Sequence, residues 1–140
     1  MDEDPVKVIL DTNILISALG FGGKPRKILQ LILDNQIRAI TSSLLLAEFE
    51  DVINKKFPQL SLYFERINRQ IRRKFKIVRP KKSLDILKDD DDNRGLEAAL
   101  EGKCQYVITG DKELLDLAVY KDIKIITAEQ FLSLSNLWIS

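Results

Sequence analysis

Histidine is absent from this chain, and cysteine occurs once, at Cys104. Without imidazole, Ser-His-Asp and Cys-His nucleophilic sites are impossible within the chain. Zinc sites built from the usual ligands are all but excluded for the same reason. One cysteine permits no internal disulfide, which agrees with a reducing compartment. No apolar run is long enough to span a bilayer, and the start Met1-Asp2-Glu3-Asp4 lacks the basic residues of a signal peptide. The expectation is a cytoplasmic protein without a membrane segment. Acid and oxygen ligands remain for chemistry, and these suit hard cations such as Mg²⁺ or Mn²⁺.

The charges present are segregated, although the net charge is only +1. Between residues 66 and 82, nine of seventeen are Arg or Lys and none is acidic. Between residues 85 and 92, five of eight are Asp. A basic surface beside an acidic centre suits a polyanion with a metal at the point of chemistry. The alternative is a solvated helix face followed by a solvated turn.

Short apolar runs alternate with helical spacing along all 140 residues. Strands are expected at 6–10, 37–40, 75–78 (an edge strand), 106–108 and 123–126. Helices are expected at 14–19, from Pro25 to 33, from a cap at Thr41, Ser42 or Ser43 to 56, and at 60–74, 94–103, 112–119 and 128–134. Residues 81–92 read as a polar loop. This alternation predicts an α/β fold, a three-layer α/β/α sandwich with a mostly parallel central sheet of about five strands. One domain is expected over 1–140, with a helical arm at about 44–74. The terminal Trp138 and Ile139 are apolar enough to serve a contact.

Four acids fall where such a fold gathers ligands, at the carboxyl ends of its strands. Asp11 ends Val6-Lys7-Val8-Ile9-Leu10-Asp11, either as a helix N-cap worth ~1 kcal/mol or as a ligand. Thr12 and Asn13 add oxygens that can orient it, and Ser17 follows one turn on. Glu48 lies one turn after Leu44 and Leu45 and one turn before Val52, which puts it on the buried stripe of its helix. Burial there demands a basic partner, a proton or a metal. Asp92 and Asn93 close the run Asp89-Asp90-Asp91-Asp92-Asn93 and are expected at the start of the next helix. Four adjacent aspartates repel one another and gain from a cation or a helix N-terminus. Asp89, Asp90 and Asp91 taken singly suit a solvated turn, and Glu97 sits on the helix flank as a secondary candidate. Asp111 follows Tyr106-Val107-Ile108-Thr109-Gly110 and either binds metal or caps the helix at Lys112. Thr109 can hydrogen-bond an acid or a phosphate. Cys104 reads as a small core residue.

These blocks, in this order, resemble the PIN-domain family of small metal-dependent ribonucleases. The nearest branch is the VapC-like toxin components of bacterial and archaeal toxin–antitoxin systems. The resemblance covers nearly the whole chain, from Val8-Ile9-Leu10-Asp11-Thr12-Asn13 with Ser17-Ala18-Leu19, through Ser42 to Glu48 and Asp89-Asp90-Asp91-Asp92-Asn93 with Leu96-Glu97-Ala98-Ala99-Leu100, to Thr109-Gly110-Asp111 with Leu114-Leu115, and on to Ile125-Ile126-Thr127. It implies that Asp11, Glu48, Asp92 and Asp111 bind the metal, supported by Asn13 and Thr109. Asp89 also matches an acid of this branch. The resemblance further implies a small antitoxin partner and a homodimer as family habits.

The expected activity is hydrolysis of phosphodiester bonds in single-stranded or structured RNA, dependent on Mg²⁺ or Mn²⁺. Arg66, Arg69 and Arg73, with Lys24, Arg26 and Lys27, are expected to hold the RNA backbone. A rival is a non-catalytic metal-binding module that acts through protein or RNA binding. A phosphate-accepting receiver domain is disfavoured. It expects paired acids after the first strand and a Lys after the last, whereas Asp11 stands without an adjacent acid and Thr127 follows Ile126.

Overall fold

Alternation along β1 (Lys7–Leu10) sorts the molecule into two cores. Val8 and Leu10 face one way and Ile9 the other. The computed structural model describes residues 5–135. The start at residues 1–4 and the contact expected at Trp138 and Ile139 lie outside the described residues.

Beyond β1 come α1 (Thr12–Gly20), α2 (Gly23–Leu33), β2 (Arg38–Ser42), α3 (Ser43–Lys56), a 3₁₀ turn at Pro58–Leu60, α4 (Ser61–Lys74) and β3 (Lys76–Val78). The second half runs α5 (Asp90–Glu101), β4 (Tyr106–Ile108), α6 (Lys112–Leu117), β5 (Val119–Tyr120), β6 (Ile123–Ile126) and α7 (Ala128–Ser135). The sheet order is β3-β2-β1-β4-β6-β5. All pairings are parallel except β5 with β6. On one face α1, α2, α3, α4 and α7 bury Ile14, Ile28, Phe49, Phe64, Ile71 and Phe131. On the other, Leu96, Ala98, Ala99 and Leu114 of α5 and α6 pack against Ile9, Ile40 and Val107. The three-layer expectation holds, with β3 at the edge as expected. Close packing on the second face leaves no room for a side chain at Gly102, where a Cβ would stand 2.6 Å from Ile40.

Among the described residues the sheet has six strands, against the expectation of about five. The apolar spacing that suggested a helix to 119 continues past its true end at Leu117. Ala118 takes a positive φ of 63° and turns the chain into β5. The second difference is larger. α5 starts at Asp90, four residues before the expected Arg94. Asp89 is its N-cap, accepting from Asp91 N at 2.8 Å. Three aspartates then fill the first turn, where the helix dipole favours negative charge. The acidic run is therefore helix, not loop, and Asp92 and Asn93 lie inside it.

The topology also locates the switch point. The chain leaves β1 towards β2 and β3 on one side, then returns to build β4 on the other. Asp11 follows β1 and Thr109 follows β4, so both emerge at the β1–β4 crevice, where ligands of open α/β sheets bind.

Candidate metal centre

Asp11 occupies the N-cap position of α1 yet makes no side-chain cap. Its carboxylate turns instead to Thr109, whose Oγ1 donates to Asp11 Oδ2 at 2.8 Å. Thr109 is fully buried and its Oγ1 also accepts from Asp111 N at 2.9 Å. One hydroxyl thus ties the ends of β1 and β4 together. Asp111 does cap α6, with Oδ1 accepting from Glu113 N at 2.8 Å and Leu114 N at 3.2 Å. Capping fixes one oxygen of Asp111 and leaves Oδ2 outside the cap.

Ser42 caps α3, accepting from Leu45 N at 3.3 Å. Glu48 stands one turn further along and is half-buried. The expected stripe is corrected here: Leu44 is 63% exposed, and Leu45, Leu46, Phe49 and Ile53 form the buried face. Glu48 sits at the margin of that face. Burial pushes its carboxyl up to about 7, helped by the charge of Asp91 and opposed by a hydrogen bond from Thr12.

Asp92 is buried from the third position of α5. Its carboxyl is also pushed up to about 7, first by burial and then by Asp111, Asp89 and Asp11. Its Oδ2 is buried without a hydrogen-bond partner among the described residues. Asp11 is raised by burial and by Asp111 and Asp89, against the lowering effect of Thr109. Asp91 is raised by burial and by Asp89 and Asp90. A cavity of about 10 Å³ opens between Asp11, Asp91 and Asp92, walled by Leu45, Leu96 and Leu114. That is space for roughly one water-sized occupant.

The acids therefore share one repulsive field, although among the described residues no three stand close enough to enclose an ion. The donor chemistry still fits a hard divalent cation: only oxygen ligands, carboxyls reluctant to ionise together, and one buried oxygen without a partner.

Other candidates have different places. Asn93 is fully buried and serves the fold, accepting from Ile86 N and Leu87 N and donating to Leu87 O. Asn13 is exposed on the first turn of α1, and half-buried Ser17 lies one turn on. Asp89 is exposed, with Oδ1 occupied as the α5 cap. Glu97 is buried in an ion pair with Arg94 at 2.7 Å and holds Leu84 N. Arg66, Arg69 and Arg73 are exposed along α4, and Lys27 is exposed on α2. Lys24 pairs with Glu129 at 3.5 Å. Arg26 folds back to donate to Ala18 O at 2.9 Å and Leu19 O at 3.2 Å, so its guanidinium closes the end of α1. Sequence reasoning missed Glu113. It is half-buried, accepts from Lys88 N at 2.9 Å and adds to the field on Asp92.

Known proteins resemble this chain in sequence and in fold. An uncharacterised protein of Methanocaldococcus jannaschii is 36% identical over 124 residues, covering 84% of this chain and 78% of that protein. The crystal structure of VapBC2 from Rickettsia felis, bound to a DNA fragment from its promoter, superposes with a TM-score of 0.60 at 16% identity. That match covers 87% of this chain and 98% of the other, and shows a shared fold. The profile of the PIN domain matches residues 7–113. With that match spanning the switch point and Asp11, Glu48, Asp92 and Asp111, the chain belongs to the PIN-domain family.

Proposed function

We propose that this protein is a metal-dependent endoribonuclease that hydrolyses phosphodiester bonds in single-stranded or structured RNA. The observation that carries the proposal is the acid field at the β1–β4 switch point, with Asp92 Oδ2 buried and unpartnered beside Asp11. Asp11, Glu48, Asp92 and Asp111 would hold Mg²⁺ or Mn²⁺. Such a cation, when bound, lowers the pKa of a water and stabilises charge on the phosphate oxygens. Thr109 orients Asp11 and Thr12 steadies Glu48. The α6 cap fixes the direction of Asp111. Leu45, Leu96 and Leu114 give the space between Asp11, Asp91 and Asp92 an apolar wall. Arg66, Arg69, Arg73 and Lys27 supply cations for the RNA backbone.

The Rickettsia felis neighbour is solved as a VapBC complex, which supports an antitoxin partner and a toxin–antitoxin role here. Among the described residues no helix is long and apolar enough to cross a membrane. A cytoplasmic location and a homodimer belong to the same proposal.

The test is cleavage of a mixed single-stranded RNA by purified protein with Mn²⁺ or Mg²⁺, with EDTA and Asp11→Asn as controls. Cuts that vanish in both controls support the nuclease. A folded, cation-binding protein that never cuts would leave a non-catalytic metal-binding module.

A further inference from the structure

The end of the sheet opposite the acids holds a cleft of about 560 Å³. Among the described residues Lys7, Arg38, Arg73, Lys74 and Lys76 line it, and no Asp or Glu does. Three of these cations sit on adjacent strands. Lys7 and Arg38 stand directly opposite one another across β1 and β2. Lys76 of β3 is opposite Ile40, two residues along from Arg38. Strand side chains alternate, so Lys7 shares the face of Ile9, and Arg38 and Lys76 share that of Ile40. Ile9 and Ile40 belong to one core, so the three cations line one face.

Like charges in opposed positions destabilise a sheet, and a carboxylate placed between them is the ordinary remedy. Among the described residues, however, the ion pairs are made by Lys24, Lys55 and Arg94, and none reaches this cleft. Protection of an edge strand from pairing accounts for Lys76 on β3. It does not account for Lys7 and Arg38, because β1 and β2 are interior strands.

We propose that this cleft is a second anion site, which takes the phosphodiester backbone of a nucleic acid away from the acid centre. Lys7 and Asp11 are four residues apart along one extended segment, so the cleft lies ~13 Å from the acids. A backbone bearing one charge per nucleotide can satisfy several cations on one rim at once. Ile32 and Phe75, buried in the core on the other face of the sheet, also border the cleft, next to Arg73 and Lys74 of α4. The site rests on the proposal that the protein acts on RNA, but its test needs no cleavage.

The experiment is fluorescence anisotropy of a labelled mixed-sequence RNA of about 20 nucleotides, titrated in EDTA over a KCl series. The proteins are the full chain, the double variant Arg38→Glu with Lys76→Glu, and Lys55→Glu as a control. The first reversal puts a carboxylate opposite Lys7, a favourable cross-strand pair, and a melting curve confirms folding. The double variant is expected to bind at least tenfold more weakly at about 0.1 M salt, with a salt slope smaller by about 1–2. Binding equal to that of the unaltered chain overturns the site. Displacement of RNA by polyglutamate as readily as by unlabelled RNA also overturns it, in favour of an acidic protein partner. RNA held through the cleft by a protein that never cuts supports the site while removing the nuclease proposal.

Discussion

Thr109 donates to Asp11 across the β1–β4 crevice, from a position with no solvent exposure. The bond sets which carboxylate oxygen of Asp11 remains for a ligand. Thr109→Val keeps the shape and removes the hydroxyl, so Asp11 loses its donor and Asp111 N its acceptor. RNA cleavage and cation affinity are expected to fall about 10- to 100-fold, as when the orienting partner of a metal ligand is lost. Thr109→Ser is expected to recover most of both. Cation titration by calorimetry, with cleavage rates beside it, checks this.

Glu48 and Asp92 make the cation-free protein sensitive to pH. Their folded carboxyls sit at about 7, against ordinary values of 4.5 and 3.8. A folded pKa above the unfolded one means that the native state holds the proton more tightly. Their contribution is complete below about pH 4 and is lost as pH rises through 7. In EDTA, the melting temperature is expected to fall between pH 5 and pH 8. Added Mn²⁺ is expected to restore it at pH 8 and to do little at pH 5, where protons compete for the ligands. Asp92→Asn is expected to melt above the parent at pH 8 in EDTA and to lose most of the Mn²⁺ response. A parent protein whose melting is flat from pH 5 to 8 would contradict this account.

Arg26 was expected at an RNA surface, but its guanidinium is bonded to the last carbonyls of α1. Arg26→Ala is therefore expected to cost about 1 kcal/mol of stability, through lost helix-end hydrogen bonds. RNA affinity should change less than twofold. Arg69→Ala, on exposed α4, is expected to do the reverse. Urea unfolding and RNA titration on the two variants separate the roles.

Asn93 ties residues 86 and 87 to α5 through three hydrogen bonds in a fully buried position. Asn93→Ala leaves those backbone groups unsatisfied, and a loss of about 2–4 kcal/mol is expected. Hydrogen exchange should rise first in residues 84–88. Stability unchanged within error would place Asn93 outside the support of this loop.

The interior strands were legible because each is a short β-branched run bounded by polar residues, with Asp11 directly after β1 and Asp111 three residues past β4. Ser42 was among three possible caps because Thr41, Ser42 and Ser43 have the same chemistry. The acidic run misled because Asp favours turns, while the same charge at a helix start is stabilised by the dipole. β5 was hidden because nothing about alanine announces the positive φ at Ala118. Leu44 looked buried because spacing places residues on a face but does not say where that face ends. Glu113 gave no signal beyond standing two residues after Asp111. Its part depends on the 84–89 segment folding over α6, a contact between distant stretches of chain.

The two ends of β1 carry opposite signs, Lys7 at its start and Asp11 just past its finish. In a molecule whose net charge nearly vanishes, opposite charges are therefore set apart along the central strand. In the field of a polyanion such a pair of charges is turned rather than pulled. First encounters should come with the lysine end leading, and screening by salt should scramble the orientation of arrival before it slows arrival itself.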